Sequence, residues 1–432
     1  MRQPETAGHP SLPTGFHRLE LQARREALRE SFDIPSEEWE ALTATPLLLD
    51  LADVMVESAG GCIAVPVGVA HGFLIDGQET AIPMAVEEPS VIAAARFAAR
   101  LVRRDGGFTT WSTPPLMIAQ VFLESVSEDG MRRLEACEPL VRERLSRELA
   151  SLERRGGGYQ GMETSRLSPS GTVKVELSID VRDALGANRI NGAAESLRPL
   201  LERESGGRTL MAILSNDARG RRAGARFALP VDRLGMGLPA GMNAPEAARR
   251  IAAASTVAQE DPARAVTHNK GIMNGIASLA LATLNDTRAV EAAAHAWAVR
   301  GGRCRGLSTF AVQGGVLSGE LELPLALATV GGSVDFHPAA RASLRILGDP
   351  DAPRLSRIAA ALGLAQNFAA LLALVTHGIQ KGHMRYHAAR LAWGAGARGL
   401  EARRVADEMA REGPSDLAAA REALRRVREN GQ

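Results

Sequence analysis

TVKVELSID, residues 172–180, alternates apolar and polar side chains with the two-residue period of a strand that buries one face. Residues 116–124 before it and 209–215 after it read the same way. Between them lie two helical stretches. Residues 130–155 are dense in charge and end at Gly156, Gly157 and Gly158; residues 183–202 follow the central strand. Strand, helix, strand, helix, strand within residues 116–215 predicts a small α/β sandwich of the ferredoxin-like type, inserted in a larger domain.

On the N-terminal side, helices are expected near 18–32 and 36–52, then strands and tight turns over 60–76. Asp76-Gly77 signals a hairpin with the returning strand at 79–86. Residues 90–104 form a helix whose arginines complement the dipole at its C-terminal end, and residues 108–115 read as a Thr/Ser/Pro linker. On the C-terminal side come a strand at 226–230, a helix at 245–258, a helix at 288–300 and strands near 307–313 and 316–324. Helices near 339–346, 353–377, 384–392 and 401–430 complete the chain. The fold class is α+β.

Composition narrows the function. The chain has 432 residues and a net charge of +1, so neither nucleic acid nor an anionic membrane is expected as a partner. Three cysteines, Cys62, Cys137 and Cys304, stand far apart with no disulfide or metal spacing, which points to the reducing cytoplasm. The polar N-terminus lacks the apolar core of a signal peptide. The longest apolar stretch, residues 358–375, is interrupted by Gln366 and Asn367 and reads as a buried helix.

The densest chemistry is in EDPARAVTHNKGIMNG, residues 260–275, which carries Asp261, Arg264, His268, Asn269, Lys270 and Asn274. Lysine is seldom buried without a partner, and Gly271 after Lys270 lets the backbone pack closely or turn. Glu88 precedes Pro89 at a helix start; the dipole there favours its charged form, and burial opposes that. As a general acid it requires burial to win, and as a helix cap it does not. His383 and His387 share a helix face, but Met384 stands where a zinc protease has glutamate, so no metal is expected. Asp183, Gly186 and Asn188 follow a strand and open a helix, where backbone N–H groups can hold a phosphate. Gly394-Ala-Gly396-Ala-Arg-Gly399 matches a dinucleotide fingerprint in letters only, since it follows a helix.

These motifs, in this order, resemble the soluble class II 3-hydroxy-3-methylglutaryl-coenzyme A (HMG-CoA) reductases. VEEPSVIAAA (86–95) is similar to the family's glutamate motif, SIDVRDALGANRIN (178–191) to its cofactor motif and DPARAVTHNKGIMNG (261–275) to its lysine motif. LNDTRAVEAAAHAWA (284–298) carries the aspartate, and GIQKGHM (378–384) resembles the histidine motif. GGFTT (106–110), ILSN (213–216), TVGG (329–332) and GLAQN (363–367) also fit.

The resemblance implies a large mixed α/β substrate domain (1–113 and 216–377), a small dinucleotide-binding domain (114–215) and a helical C-terminal flap (378–432). It implies Lys270 as the oxyanion stabiliser, Glu88 as proton donor, Asp286 between them, and His383 as the acid that protonates the coenzyme A thiolate. Ser90, Arg264, Asn216 and Asn274 would bind the hydroxymethylglutaryl part, and Asp183, Gly186 and Asn188 the cofactor. The implied reaction is two hydride transfers from NADPH or NADH, giving mevalonate and free coenzyme A, or the reverse. A homodimer is implied, and so is a mobile flap that carries His383 in, because the spent cofactor leaves between the two steps.

Two departures bear on specificity. Of the family's ENVIG-like segment only Glu57 is kept, and Ser146 stands where some NAD-specific members have aspartate. With Arg144, Arg147, Arg154 and Arg155 nearby, this favours NADPH. The alternatives are another coenzyme A thioester enzyme, which needs a nucleophile beside a histidine, and a non-catalytic acyl-coenzyme A-binding paralogue, which would have lost one of Glu88, Lys270, Asp286 or His383.

Overall fold

Thr113 joins two sheets. It leaves β3 (Thr109–Ser112) for a four-stranded insertion and meets the chain again where that insertion ends. The computed structural model describes residues 12–13, 15–43, 49–58, 60, 62–235, 238–378, 388–412 and 416–429. Ahead of β3, β1 (Val67–Ile75) and β2 (Gln78–Ala85) form a hairpin. Its turn residues Asp76 and Gly77 have φ of 53° and 78°, the left-handed pair that suits two twisted strands.

The insertion contains β4 (Leu116–Glu124), β5 (Gly158–Arg166), β6 (Val173–Asp180) and β7 (Arg208–Ser215), in the antiparallel order β5-β6-β4-β7. Its helices bury Leu134, Val141, Leu145 and Ile190 against Val175 and Leu177 of the sheet. That is the split β-α-β arrangement of a ferredoxin-like sandwich.

β5 has no counterpart in the sequence reading, because GYQGMETSR is rich in glycine and polar residues and lies at a sheet edge. The single helix expected over 130–155 is three, Glu128–Ala136, Glu138–Glu148 and Ala150–Glu153; Pro139 starts the second. The helix expected over 183–202 begins only at Ala187 and breaks before Pro199, giving Ala187–Ser196 and Arg198–Ser205.

β8 (Arg222–Pro230), β9 (Ser308–Gln313) and β10 (Val316–Pro324) complete the second sheet, ordered β3-β8-β10-β9. The expected linker at 108–115 is therefore partly a strand. Thr113 Oγ1 donates to the Gly220 carbonyl (2.8 Å) and accepts from Arg222 N (2.8 Å), which zips entry and exit of the insertion together. On this sheet lies the helix Ala352–Val375. It is long and apolar enough to cross a bilayer, yet 78% of its apolar window is buried in protein. It crosses the helix Pro262–Ala282 at glycines: a Cβ on Gly363 would stand 2.8 Å from Ile276 Cδ1, and one on Gly275 3.2 Å from Leu362 Cγ.

The C-terminal residues form a helical unit with its own small core, including Ala392, Val405, Met409 and Leu424. The one helix expected over 401–430 is two, Gly399–Glu412 and Leu417–Glu429. Arg390 donates to the Glu87 carbonyl (3.3 Å) and Arg403 pairs with Glu20 (3.1 Å), which ties the unit to the rest of the protein.

Gly107 tests this arrangement. Its φ is 77°, and a Cβ there would lie 2.2 Å from the Leu74 carbonyl oxygen, which accepts Phe108 N. Gly107→Ala should lower the unfolding free energy by more than about 2 kcal/mol in urea denaturation. Gly106→Ala, at positive φ but facing open space, should cost only about 1 kcal/mol.

Candidate active site

The lysine motif forms one unbroken helix, Pro262–Ala282. Asp261 caps it by accepting Ala263 N and Arg264 N (both 3.2 Å), and Pro262 occupies the first turn, where no N–H is needed. Lys270-Gly271 is therefore not a turn. Ala265, Ile272, Met273, Ile276 and Leu279 bury one side of the helix. Arg264, Thr267, Gly271 and Asn274, three or four residues apart, share the other side and line a cavity of about 720 Å³. Gly271 faces open space there: a Cβ would meet only Asn367 Nδ2, at 4.0 Å.

Glu88 and Ser90 form the opposite wall. The helix they precede begins at Val91, and Ser90 caps it with φ 76° and no side-chain capping bond. A non-glycine residue at that angle costs on the order of 1–3 kcal/mol, and its hydroxyl remains available to the cavity. Lys270 Nζ donates to Glu88 Oε2 at 3.2 Å. Glu88, Ser90, Arg264, Lys270 and Asn274 thus converge on one cavity within one chain. The pair is not buried, however: the side chains of Lys270 and Glu88 are 61% and 38% exposed.

A buried polar chain fixes the helix from behind. His268 is 1% exposed, with Nε2 2.7 Å from Ser308 Oγ. Asn367 Nδ2 donates to the His268 carbonyl (3.3 Å), so its Oδ1 accepts the Ser308 hydroxyl proton (2.8 Å). Ser308 Oγ then accepts from His268 Nε2–H, leaving Nδ1 bare and without a partner. Burial, and then the charge of Arg264, push the His268 pKa down to about 4. Asn269 reinforces the link by bonding the Arg305 carbonyl and Leu307 N (both 2.8 Å). The sequence reading named His268 and Asn269 but gave them no role. It had no means of finding Ser308, because the chain from His268 to Asn367 passes through three distant elements.

The other candidates lie elsewhere. Asp286 does not sit between Lys270 and Glu88 within one chain. The helix continues for twelve residues from Lys270 to Ala282, about 18 Å at its standard rise. Asp286 follows that end and caps the next helix, Thr287–Ala298, by accepting Arg288 N (3.0 Å) and Ala289 N (3.1 Å). Its neighbour Asn285 exchanges two bonds with the backbone of Ala328, and Thr329 N donates to the Asp183 carbonyl (2.9 Å). Asp286 and the turn bearing Asp183 and Gly186 are therefore gathered on one segment.

Asp183 Oδ1 also accepts Ala352 N (2.9 Å) at the start of the long helix, whose first cavity-lining residue is Gln366, fourteen residues or about 21 Å on. Asn188 is exposed in the first turn of Ala187–Ser196, and Asn216 is exposed just past β7. His383 lies outside the described residues.

Fold and site together define an α+β protein with separate sheets and cores, and a lysine–carboxylate pair on a cavity beside the larger core. The profile of the hydroxymethylglutaryl-coenzyme A reductase family matches residues 20–388. A 3-hydroxy-3-methylglutaryl-coenzyme A reductase from Archaeoglobus fulgidus is 42% identical over 419 residues, 96% of this chain and 94% of that protein. A probable reductase of the same kind from Borreliella burgdorferi is 35% identical over 334 residues, 77% of this chain and 76% of its own. A class II reductase from Streptococcus pneumoniae, solved bound to NADPH in open conformations, superposes with a TM-score of 0.80 at 37% identity, covering 84% of this chain and 99% of its own. The chain belongs to the hydroxymethylglutaryl-coenzyme A reductase family.

The state of His268 has a measurable consequence. Its folded pKa, about 4, lies below the ordinary 6.5, so the unfolded chain takes up the proton first as pH falls. The neutral ring's contribution is present in full above pH 6.5. It is lost as pH drops toward 4, a change of about 3 kcal/mol at most. Gln at this position keeps a donor for Ser308 but cannot titrate. His268→Gln should therefore show a smaller stability difference between pH 7 and pH 4 in urea denaturation; an unchanged difference would contradict the assignment.

Proposed function

We propose that the cavity takes the hydroxymethylglutaryl thioester and that the protein reduces it with two hydrides to mevalonate and free coenzyme A, or runs the reverse reaction. The observation that carries this reading is the Lys270–Glu88 contact at 3.2 Å on a cavity that also presents Arg264, Ser90 and Asn274. Lys270 holds the negative charge that develops on the carbonyl oxygen when hydride adds. Arg264 takes the substrate's free carboxylate as a planar fork, with Ser90 and Asn274 on the polar groups beside it. Glu88 donates a proton to the aldehyde oxygen of the second step, and His383 donates to the departing thiolate. A nicotinamide cofactor supplies the hydrides.

The turn at Gly186 suits the pyrophosphate of that cofactor. Gly186 has φ 76° and a Cβ there would strike Val181 Cγ1 at 2.7 Å, so the turn is tight and opens a helix whose first N–H groups are available. Asn188 lies in that first turn and Asp183 precedes it. The family resemblance and the NADPH-bound relative support the same reading.

One chain supplies two half-sites. Lys270 and its neighbours form the first; Asp286 and the cofactor turn form the second, about 20 Å away along the long helix. A hydride cannot cross that gap, and the exposed Lys270–Glu88 pair lacks the cover its chemistry needs. We infer a homodimer in which Asp286, Asn216 and the cofactor turn of a second copy close the first half-site. The C-terminal helical unit, reaching Glu87 through Arg390, is proposed as the flap that completes the enclosure. The cysteine pattern is the ground for placing the protein in the cytoplasm.

NADPH is the proposed cofactor. Arg144 and Arg147 are engaged with Glu148 (3.2 Å) and Glu143 (2.7 Å), whereas Arg154 and Arg155 have no ion pair among the described residues. The charge available to a 2′-phosphate is therefore at residues 154 and 155. A lower KM for NADPH than for NADH is expected, and replacing both arginines by alanine should abolish the difference. A native preference for NADH would reject the assignment.

Cofactor-dependent release of coenzyme A thiol tests the reaction and the shared site together. Lys270→Ala should lower turnover by about 100-fold or more, the scale of losing an oxyanion donor. Asp286→Asn should be similarly impaired. Mixed and allowed to exchange subunits, the two inactive proteins should recover about a quarter of wild-type activity, because half the dimers are hybrids with one intact site. No recovery would place both residues in the same chain's site. Thiol release without cofactor would indicate a thioesterase instead.

A further inference from the structure

Arg221 is 3% exposed and carries its guanidinium into the seam between the two domains. Nη1 donates to the Ala184 carbonyl at 3.0 Å, and Nη2 donates to the Leu327 carbonyl. Its own carbonyl accepts Leu325 N (2.9 Å). Burial lowers its pKa to about 10, partly offset by Asp180 and Asp183, so it stays charged at neutral pH. A buried cation with no carboxylate in direct contact is costly, and among the described residues backbone carbonyls are its partners. The carbonyls it joins matter. Ala184 belongs to the cofactor turn. Leu327 is followed by Ala328, which holds Asn285 beside Asp286, and by Thr329 and Val330, which bond or bridge to Asp183 and Ala184.

The geometry points to Arg221 as the positioning residue of the second half-site: its guanidinium locks the cofactor turn onto the segment that carries Asp286, so cofactor and aspartate are presented as one rigid unit. Arg221 is buried and its guanidinium is taken up by backbone carbonyls, so its part is to position. It acts through Ala184, two residues before Gly186, and through the Leu325–Ala328 backbone. This rests on the reading that residues 183–188 hold the dinucleotide.

The test measures binding without turnover, on the full-length protein, by NADPH fluorescence and by calorimetry with free hydroxymethylglutarate. Arg221→Met should weaken NADPH binding by about tenfold or more, the effect of removing charged hydrogen bonds that orient a loop. Hydroxymethylglutarate affinity should fall by clearly less, within about threefold, since Ser90, Arg264 and Asn274, which take its polar groups, stand on elements that Arg221 does not bond, and only the partner copy's contribution to that half-site is loosened. Arg221→Lys, which keeps the charge and can reach one carbonyl, should recover part of the loss. It also carries the comparison if the methionine variant fails to fold. A merely structural arginine would weaken both ligands equally or neither, and either result in a folded variant overturns the inference. Wild-type protein that binds no dinucleotide would overturn the cofactor reading and this inference with it.

Discussion

A lysine and a glutamate 182 residues apart in sequence stand 3.2 Å from each other, and the packing of the larger domain is what holds them there. The contact depends on the rotation of one helix about its axis. A slip of one residue would turn Arg264, Lys270 and Asn274 by about 100° and aim them at the core. Two constraints prevent this. Gly275 and Gly363 let the lysine helix and the long apolar helix approach closely, and the His268–Ser308–Asn367 chain bonds the helix to β9 and to that long helix. Apolar packing sets the distance between the helices and the buried polar groups set their register.

Part of this was legible from residues alone. Alternation identified β4, β6 and β7, and Asp76-Gly77 marked its hairpin, because these signals are local. β5 was missed because an edge strand of glycines and polar residues, with only Gly158 and Tyr159 buried, shows no apolar alternation. Pro139 and Pro199 broke two expected helices, a local signal that the charge pattern outweighed in the reading. Gly271 left close packing and a turn both open in the reading; the helix runs through it, since glycine flanked by good helix formers costs only about 1 kcal/mol, which the surrounding packing covers.

Of the residues the sequence reading proposed for the site, Glu88, Ser90, Arg264, Lys270 and Asn274 meet on one cavity, and their arrangement was not legible beforehand. The resemblance named Glu88, Lys270 and Asp286 together, and sequence carries no information on how far apart the fold sets them within one chain. The unbroken length of the Pro262–Ala282 helix is what separates Lys270 from Asp286. Ser308 and Arg221 left no mark at all, since a serine in a strand and an arginine before another arginine are ordinary until their partners are known.

Ser90 puts a trade-off into a single backbone angle. At φ 76° the residue best suited to the position is glycine, which would relieve the left-handed strain. Glycine has no hydroxyl to offer the cavity, so on the proposed reading of the site the stabler protein would be the poorer binder. On that reading, selection for heat resistance and selection for substrate affinity pull in opposite directions at this residue, and a screen for stability alone would tend to erase the hydroxyl there.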